Sequence, residues 1–458
     1  MSQIKNWDIL VENGKTDLTK KARKLALQSL QAALKAADPK NLLRNKLVLK
    51  RSSLYIDQIT FDLEKFRNIY VIGGGKASGL MAEAIEEILG SRIRSGVVNV
   101  PYGDQSKTRI VKLHKASHPI PDLAGVKGTQ RIVRIAQNAE KDDLLICLIS
   151  GGGSSLMPLP REGISLNDKK QLTEMLLKSG ATVNEVNIVR KHISGLKGGL
   201  LAKHAYPATV LNLILSDVVG DDLASIASGP TVPDPSTFTE AKQVLEKYGI
   251  WKIAPPAIRK ILSEGVQGKI VDTPKNGSPV FEKVYNVVVG NNRLAISAAV
   301  NYLTGEGMNT FLLTSSLEGE AKYAGIIIAS ICREIFVSGN PLRRPAGIVL
   351  GGETTVKVTG SGSGGRNQEL TLAAALKLNG LEPCVIASLS TDGVDGPTDA
   401  AGAIADGYTL ERARQARLDT ERFLGDNDSY SFFSRLDDLI FTGQTGTNVN
   451  DISVIVIL

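Results

Sequence analysis

Apolar residues along this chain fall into two alternating rhythms. From residue 68 onward, short continuous apolar runs of strand length alternate with longer runs whose apolar positions recur every three or four residues. The runs at 69–72, 96–100, 144–149 and 209–215 read as buried strands, with helices expected at 80–89, 124–138 and 167–177. The rhythm resumes with a strand at 284–289, a helix at 294–303, a strand at 310–313, a helix at 321–336 and strands at 345–350 and 452–458. Ahead of the series, Ala22, Leu25, Ala26, Leu30, Ala33 and Leu34 line one stripe of a packing helix over residues 19–37, followed by Pro39. Apolar strands alternating with helices are the signature of a layered α/β sheet covered on both faces.

The pattern lapses once, over residues 265–279, where Gly, Pro, Lys and Asp replace any apolar period. Such a stretch reads as a linker or boundary. At 458 residues the chain is also too long for one ordinary core. The expectation is therefore two α/β domains, residues 1–280 and a smaller unit at 281–458, whose glycine-rich strand ends face one another across an interdomain cleft. Cys147, Cys332 and Cys384 are far apart and set among apolar residues, which suits buried thiols and neither a disulfide framework nor a zinc site. No run of 18 or more apolar residues occurs, so no membrane partner is expected. The opening Met-Ser-Gln-Ile-Lys-Asn-Trp-Asp lacks the apolar core of a signal peptide, and the chain reads as cytoplasmic. A formal charge of +7 favours anionic ligands in general. Nucleic acid is disfavoured by the scarcity of aromatic residues for stacking, and the Lys/Arg residues of 20–24 read as the outer face of one helix.

Chemistry-bearing residues gather at the ends of the expected strands. The turn-rich segment from Gly351 to Glu369 empties into a helix start at Arg366, where unpaired amides and the helix dipole would attract an anion and a guanidinium would grip it. Gly73-Gly-Gly-Lys76-Ala-Ser-Gly79 follows the first strand. It fails the phosphate-loop pattern, because Ala77 follows Lys76 and Tyr70 replaces the first glycine. It fits the dinucleotide pattern only loosely, and the next strand ends in Pro101-Tyr102-Gly103 without an acidic ribose partner. What remains is a lysine held at a tight turn. Ser150-Gly-Gly-Gly-Ser154-Ser155 offers amides and two hydroxyls after another strand, although Gly/Ser runs are commonly mere connections. Arg190 and Lys197 would share a helix face, for which a solvated surface is the plainer reading, and His192 reads as structural. Asp217 at a strand end suits a ligand or metal role, with Asp222 as a turn residue. Asp392, in Thr-Asp392-Gly-Val-Asp395-Gly, repeats the strand-then-acid arrangement. Taken together, this inventory suits phosphoryl transfer.

The set Val71-Ile-Gly-Gly-Gly-Lys76-Ala, His118-Pro-Ile-Pro-Asp122, Ser150-Gly-Gly-Gly-Ser-Ser155, Val189-Arg-Lys-His192, Ser216-Asp-Val-Val-Gly-Asp-Asp222, Ala227-Ser-Gly-Pro-Thr231, Gly351-Gly-Glu-Thr-Thr355, Gly364-Gly-Arg-Asn-Gln-Glu369 and Thr445-Gly-Thr-Asn-Val-Asn-Asp451 closely resembles the glycerate 2-kinase family, which contains the MOFRL domain. The resemblance runs in order from the first glycine loop to the end of the chain. It implies transfer of the ATP γ-phosphoryl group to D-glycerate with Mg²⁺ or another divalent cation, a Rossmann-like N-terminal domain and an active site between the domains. It points to Lys76 and Arg366 as catalytic, and its place at a strand end makes Asp217 the candidate to orient the hydroxyl or to hold metal through water. Gly74, Gly75, Ser154, Ser155, Asn187, Arg190 and Glu353 would contact substrate or phosphate, and Asp217 and Asp392 would hold metal. Rival readings are an NAD(P)H-dependent hydroxypyruvate reductase and a non-catalytic sugar-acid or nucleotide sensor. Whether the chain forms a homo-oligomer stays open.

Overall fold

The computed structural model describes residues 3–458. Its packing divides the chain into two compact units, Leu42–Val289 and the combination of Met1–Asn41 with Gly290–Leu458. The division differs from the expected one at residues 280 and 281 in two respects, each with a local cause.

In the unit Leu42–Val289, three short antiparallel strands, β1 (Leu47–Lys50), β2 (Ser53–Ile56) and β3 (Ile59–Asp62), precede a six-stranded sheet. Its strands are β4 (Asn68–Gly74), β5 (Ile93–Pro101), β6 (Val111–Ala116), β7 (Asp143–Ser150), β8 (Thr209–Leu215) and β9 (Val284–Gly290), in the spatial order β6-β5-β4-β7-β8-β9. Strands β4 to β8 are parallel. The chain thus winds outward from β4 through β5 and β6, then returns to β7 and winds the other way, which is the doubly wound Rossmann order. All of β7 and β8 is buried, as continuous apolar runs in a sheet covered on both faces should be. Ile132, Val133 and Ala136 of helix Leu123–Gln137 pack on Leu145, Cys147 and Val210. A second cluster joins helices Leu166–Lys178, Val183–His192, Phe238–Lys247 and Pro256–Val266 through Leu172, Val189, Phe238 and Leu262.

The segment expected as a linker is fastened within this unit. Thr273 Oγ1 donates to Asp234 Oδ2 (2.9 Å), His192 Nε2 lies 2.9 Å from Asp272 Oδ1, and the Asp234 amide donates to Pro274 O (3.0 Å). Its polar composition reflects side chains bonded inward, and the strand that follows completes the first sheet instead of opening a second.

The other unit is built on β10 (Asn309–Leu317), β11 (Ala346–Gly352), β12 (Cys384–Ser390), β13 (Gly402–Asp406), β14 (Leu439–Ile440) and β15 (Asp451–Ile457), ordered β10-β11-β15-β12-β13-β14. The last strand runs antiparallel between β11 and β12. Helix Asp17–Ala36, capped by Thr16 accepting from the Thr19 amide (3.2 Å), packs on helix Asn292–Gly305 and on β12 and β15. This explains why the first residues part from the Rossmann-like unit. It also corrects the basic face expected at 20–24. Arg23 is fully buried, with Nε donating to Asp406 Oδ2 (2.6 Å) and Nη1 to Asp438 Oδ1 (2.9 Å) and Leu10 O (2.6 Å). A guanidinium is tolerated there only because two carboxylates meet it. The three cysteines are buried and unbridged. No helix among the described residues is long and apolar enough to cross a membrane.

Candidate active site

The reversal between β4 and β7 places two loops side by side, since Gly74 pairs with Ile149 in register. Ligands of open α/β sheets bind at such a switch point. Gly73 and Gly75 let the strands approach more closely than any side chain permits. A Cβ on Gly73 would fall 2.1 Å from Leu148 O, and one on Gly75 would fall 2.1 Å from Ser150 Oγ. The turn is then locked by Gly75 N donating to Asn99 O (3.2 Å), Lys76 N to Gly151 O (2.8 Å) and Ala77 N to Ser150 Oγ (3.0 Å). Gly74 and Gly75 were expected to offer backbone to a phosphate. Gly74 is instead the last residue of β4, and the Gly75 amide is spent inside the protein. What the turn delivers is the half-buried Lys76 side chain, which passes over Gly152. A Cβ there would come within 3.3 Å of Lys76 Cγ and 2.8 Å of His118 Cδ2.

After β7, Gly152 takes φ +78°, a conformation that favours glycine, and leads into the short helix Gly153–Leu156 carrying Ser154 and Ser155. Ser154 Oγ lies 2.9 Å from Ser228 Oγ, and Ser228 Oγ lies 3.1 Å from Asn187 Oδ1, to which it donates. Lys197 Nζ donates to Ser154 Oγ (2.9 Å), Ser154 O (3.3 Å) and Ala227 O (3.3 Å). Of the expected substrate contacts, Ser154 and Asn187 are therefore joined in one chain through Ser228, with Arg190 one turn beyond Asn187 on helix Val183–His192.

That helix ends at His192, so Arg190 and Lys197 do not share a face. Lys197 is 1% exposed, against the solvated surface expected, and Lys169 is 6% exposed. Burial, with Arg190 beside it, pushes the Lys169 ammonium down to about 7. Burial, then Lys169 and Arg190, hold Lys197 well below its ordinary value. Lys169 was not singled out from the sequence, whereas Lys197 was read only as part of a basic helix face and Ser228 only within the motif from Ala227 to Thr231. Lys169 had a legible signal, since it occupies the apolar phase of its helix at three and seven residues before Leu172 and Leu176. Ser228 had none. It and Ala227 take φ of +60° and +50°, strained values for residues with side chains.

In the other unit, helix Arg366–Leu378 begins where expected, but its N-terminus already holds an anion of the protein's own. The Asp395 carboxylate accepts from Asn367 N (3.1 Å), Gln368 N (2.9 Å) and Asn367 Nδ2 (3.0 Å). Gly365 permits this, because a Cβ there would meet Asp395 Cγ at 2.2 Å. The preceding glycine loop is likewise committed to close packing. Ser361 N and Gly362 N donate to Asp426 (2.9 Å each) and Ser363 N to Asp428 Oδ1 (3.1 Å). The free helix-end anion site read from the sequence is thus corrected. Arg366 grips Asp451 with Nε (2.5 Å) and Nη2 (3.0 Å), and Nη1 donates to Glu353 Oε1 (2.7 Å). Burial raises the Asp451 carboxyl, while the two-pronged contact holds Arg366 charged. Glu353, expected against substrate, is held by Arg366.

Asp217 stands half-buried just past β8, and Asp222 accepts from Ala224 N (3.1 Å) as a turn residue. Asp392 Oδ1 accepts from Ser390 Oγ (2.9 Å) and Val394 N (3.1 Å). Among the described residues no group of three or more His, Cys, Asp or Glu side chains is placed to cage a metal. Single strand-end carboxylates do fit Mg²⁺ as it is held in nucleotide chemistry, by one or two carboxylates with phosphate oxygens completing the shell.

The doubly wound sheet, with a turn-held lysine and buried cations at its switch point, defines an α/β enzyme that handles anionic substrates. Residues 25–263 match the family described as a domain of unknown function (DUF4147), and residues 346–451 match the MOFRL family. A glycerate 2-kinase from Pyrococcus horikoshii is 42% identical over 436 residues, 95% of this chain and 97% of its own. A D-glycerate 2-kinase from Thermotoga maritima is 41% identical over 433 residues, 94% of this chain and 97% of its own. The crystal structure of a glycerate kinase from that organism matches with a TM-score of 0.84 at 39% identity, covering 95% of this chain and 99% of that one. A relative from Agrobacterium vitis, 41% identical over 84% of this chain and 98% of its own, carries the provisional name hydroxypyruvate reductase. The chain belongs to the glycerate 2-kinase family that carries the MOFRL domain.

Proposed function

We propose that the protein is an ATP-dependent glycerate 2-kinase, transferring the γ-phosphoryl group of ATP to D-glycerate to give 2-phosphoglycerate and ADP in the cytoplasm. The observation that carries this reading is the likeness to glycerate kinases along nearly the whole chain. Lys76, aimed by a turn whose amides are locked, neutralises charge on the transferring phosphoryl. Arg366 has its guanidinium fixed by Asp451 and Glu353, so it reaches a phosphate or carboxylate without rotamer loss. Asp217 orients the attacking hydroxyl, and Ser154, Ser155, Asn187 and Arg190 bind the acceptor. Asp217 and Asp392 would hold Mg²⁺, which when bound offsets phosphate charge.

The reductase reading draws support from the Rossmann strand order and the Agrobacterium name. Against it, β5 ends without an acid, and the nearest one, Asp104, turns back onto Ser106 N (2.9 Å). Two assays on one preparation separate the readings: ADP release with D-glycerate and ATP, and NAD(P)H oxidation with hydroxypyruvate. The first alone should turn over, and Lys76→Ala should abolish it at unchanged thermal stability. Reductase turnover without ADP release would replace the kinase reading.

A further inference from the structure

Among the described residues, no carboxylate forms an ion pair with Lys169, Arg190 or Lys197. The three nevertheless share a neighbourhood. Leu159 O accepts from Lys169 Nζ (3.4 Å), Ser194 Oγ (3.2 Å) and Gly195 N (3.0 Å), the last two residues ahead of Lys197. Lys197 is linked through Ser154 and Ser228 to Asn187, which lies three residues before Arg190 and hence on the same helix face.

Their donor capacities differ, and the difference assigns roles. All three N–H groups of Lys197 are taken by Ser154 O, Ser154 Oγ and Ala227 O, so it fixes Ser154 in place. Lys169 spends two donors on Pro158 O (3.3 Å) and Leu159 O, leaving one. Arg190 spends none of its five among the described residues. Buried charge without a counter-ion is costly, and the acids of the two helices bearing Lys169 and Arg190 are engaged elsewhere, Asp168 with Ser165, Glu174 with Lys178 and Glu185 with Thr182, Lys247 and Tyr248. A planar fork of open donors backed by a second cation matches a carboxylate, which accepts two parallel hydrogen bonds.

We infer that Arg190, with Lys169, receives the carboxylate of a small hydroxy acid, that Ser154 and Ser155 face its hydroxyls, and that Lys197 positions Ser154. The inference rests on the kinase reading insofar as that reading makes the acid D-glycerate. Anchoring the carboxylate here decides which hydroxyl meets the donor, so the cluster is the specificity element for position 2 over position 3.

The test uses the full chain. With D-glycerate and ATP varied separately, Arg190→Met should raise KM for D-glycerate at least tenfold and leave KM for ATP within twofold. Arg190→Lys should restore part of the loss, and Lys169→Met should act in the same direction. Without ATP, D-glycerate should raise the heat-unfolding midpoint of the wild type, glycerol at equal concentration should not, and both Met variants should lose the rise. Unchanged KM for D-glycerate in an active Arg190→Met enzyme would overturn the assignment. An effect confined to KM for ATP would also overturn it, by placing donor phosphate there. If the wild type turns over no glycerate yet Arg190→Met removes the D-glycerate heat shift, the kinase reading falls and the carboxylate site stands.

Discussion

Replacing Lys169 by methionine should stabilise the Rossmann-like unit at neutral and lower pH. The side chain is held at about 7 instead of its ordinary 10.5. A difference of about 3.5 units at about 1.4 kcal/mol each amounts to a penalty of about 5 kcal/mol for keeping the ammonium charged in the fold. The folded state gives up this proton before the unfolded chain does. The penalty is therefore complete below pH 7, shrinks as pH rises through the window from 7 to 10.5, and is gone above it. Methionine keeps the straight apolar stem beside Leu172 and loses two long hydrogen bonds, to Pro158 O and Leu159 O, on the order of 1 kcal/mol each. The variant should accordingly be more stable by about 3 kcal/mol at pH 6 and less stable by roughly 1 to 2 kcal/mol above pH 10. The chain has two tryptophans, and in a Trp7→Phe background Trp251, packed against the Leu172 cluster, reports urea unfolding of this unit alone. A Lys169→Met variant that is less stable at pH 6, by an amount independent of pH, would refute the view of Lys169 as a buried cation without a counter-ion.

Asp395→Ala strips the start of helix Arg366–Leu378 of an acceptor for two amides and a side-chain NH₂, and should cost about 2 to 4 kcal/mol in thermal unfolding. Asp395→Asn, which keeps an acceptor, should cost less. Arg23→Ala leaves Asp406 and Asp438 buried without this partner and should cost about 3 to 5 kcal/mol, whereas Lys20→Ala, on the exposed side of the same helix, should stay within about 0.5 kcal/mol of wild type. Equal effects of the last two would contradict the buried placement of Arg23.

The strands at 69–72, 144–149 and 209–215 were legible because a parallel strand covered on both faces is one unbroken apolar run. The loops at Lys76 and Ser150 were legible because close strand approach requires glycine there. What these glycines are for was not legible. Those at 360, 362, 364 and 365 read as a cradle for phosphate, yet their neighbours are Asp426, Asp428, Ser429 and Asp395 of the same unit. Glycine marks a close approach without saying what approaches. Arg23 and Lys197 misled in the same direction, because a charged residue read on a helix is usually taken as solvated, and Lys197 lies in a turn beyond the helix end at His192. The polar run at 265–279 looked like a linker because pattern alone does not show that Asp272 and Thr273 bond to His192 and Asp234. The assignment of the first 41 residues to the second unit depends on contacts hundreds of positions apart, such as Arg23 with Asp406, which no local pattern encodes.

The most direct measurement is NMR identification of the phosphorylated product formed by the wild-type protein from ATP and D-glycerate. The expected product is 2-phosphoglycerate, appearing in step with ADP. The 3-phosphate would contradict the assigned regiochemistry, and no phosphomonoester from a folded protein that oxidises NAD(P)H with hydroxypyruvate would contradict the kinase itself.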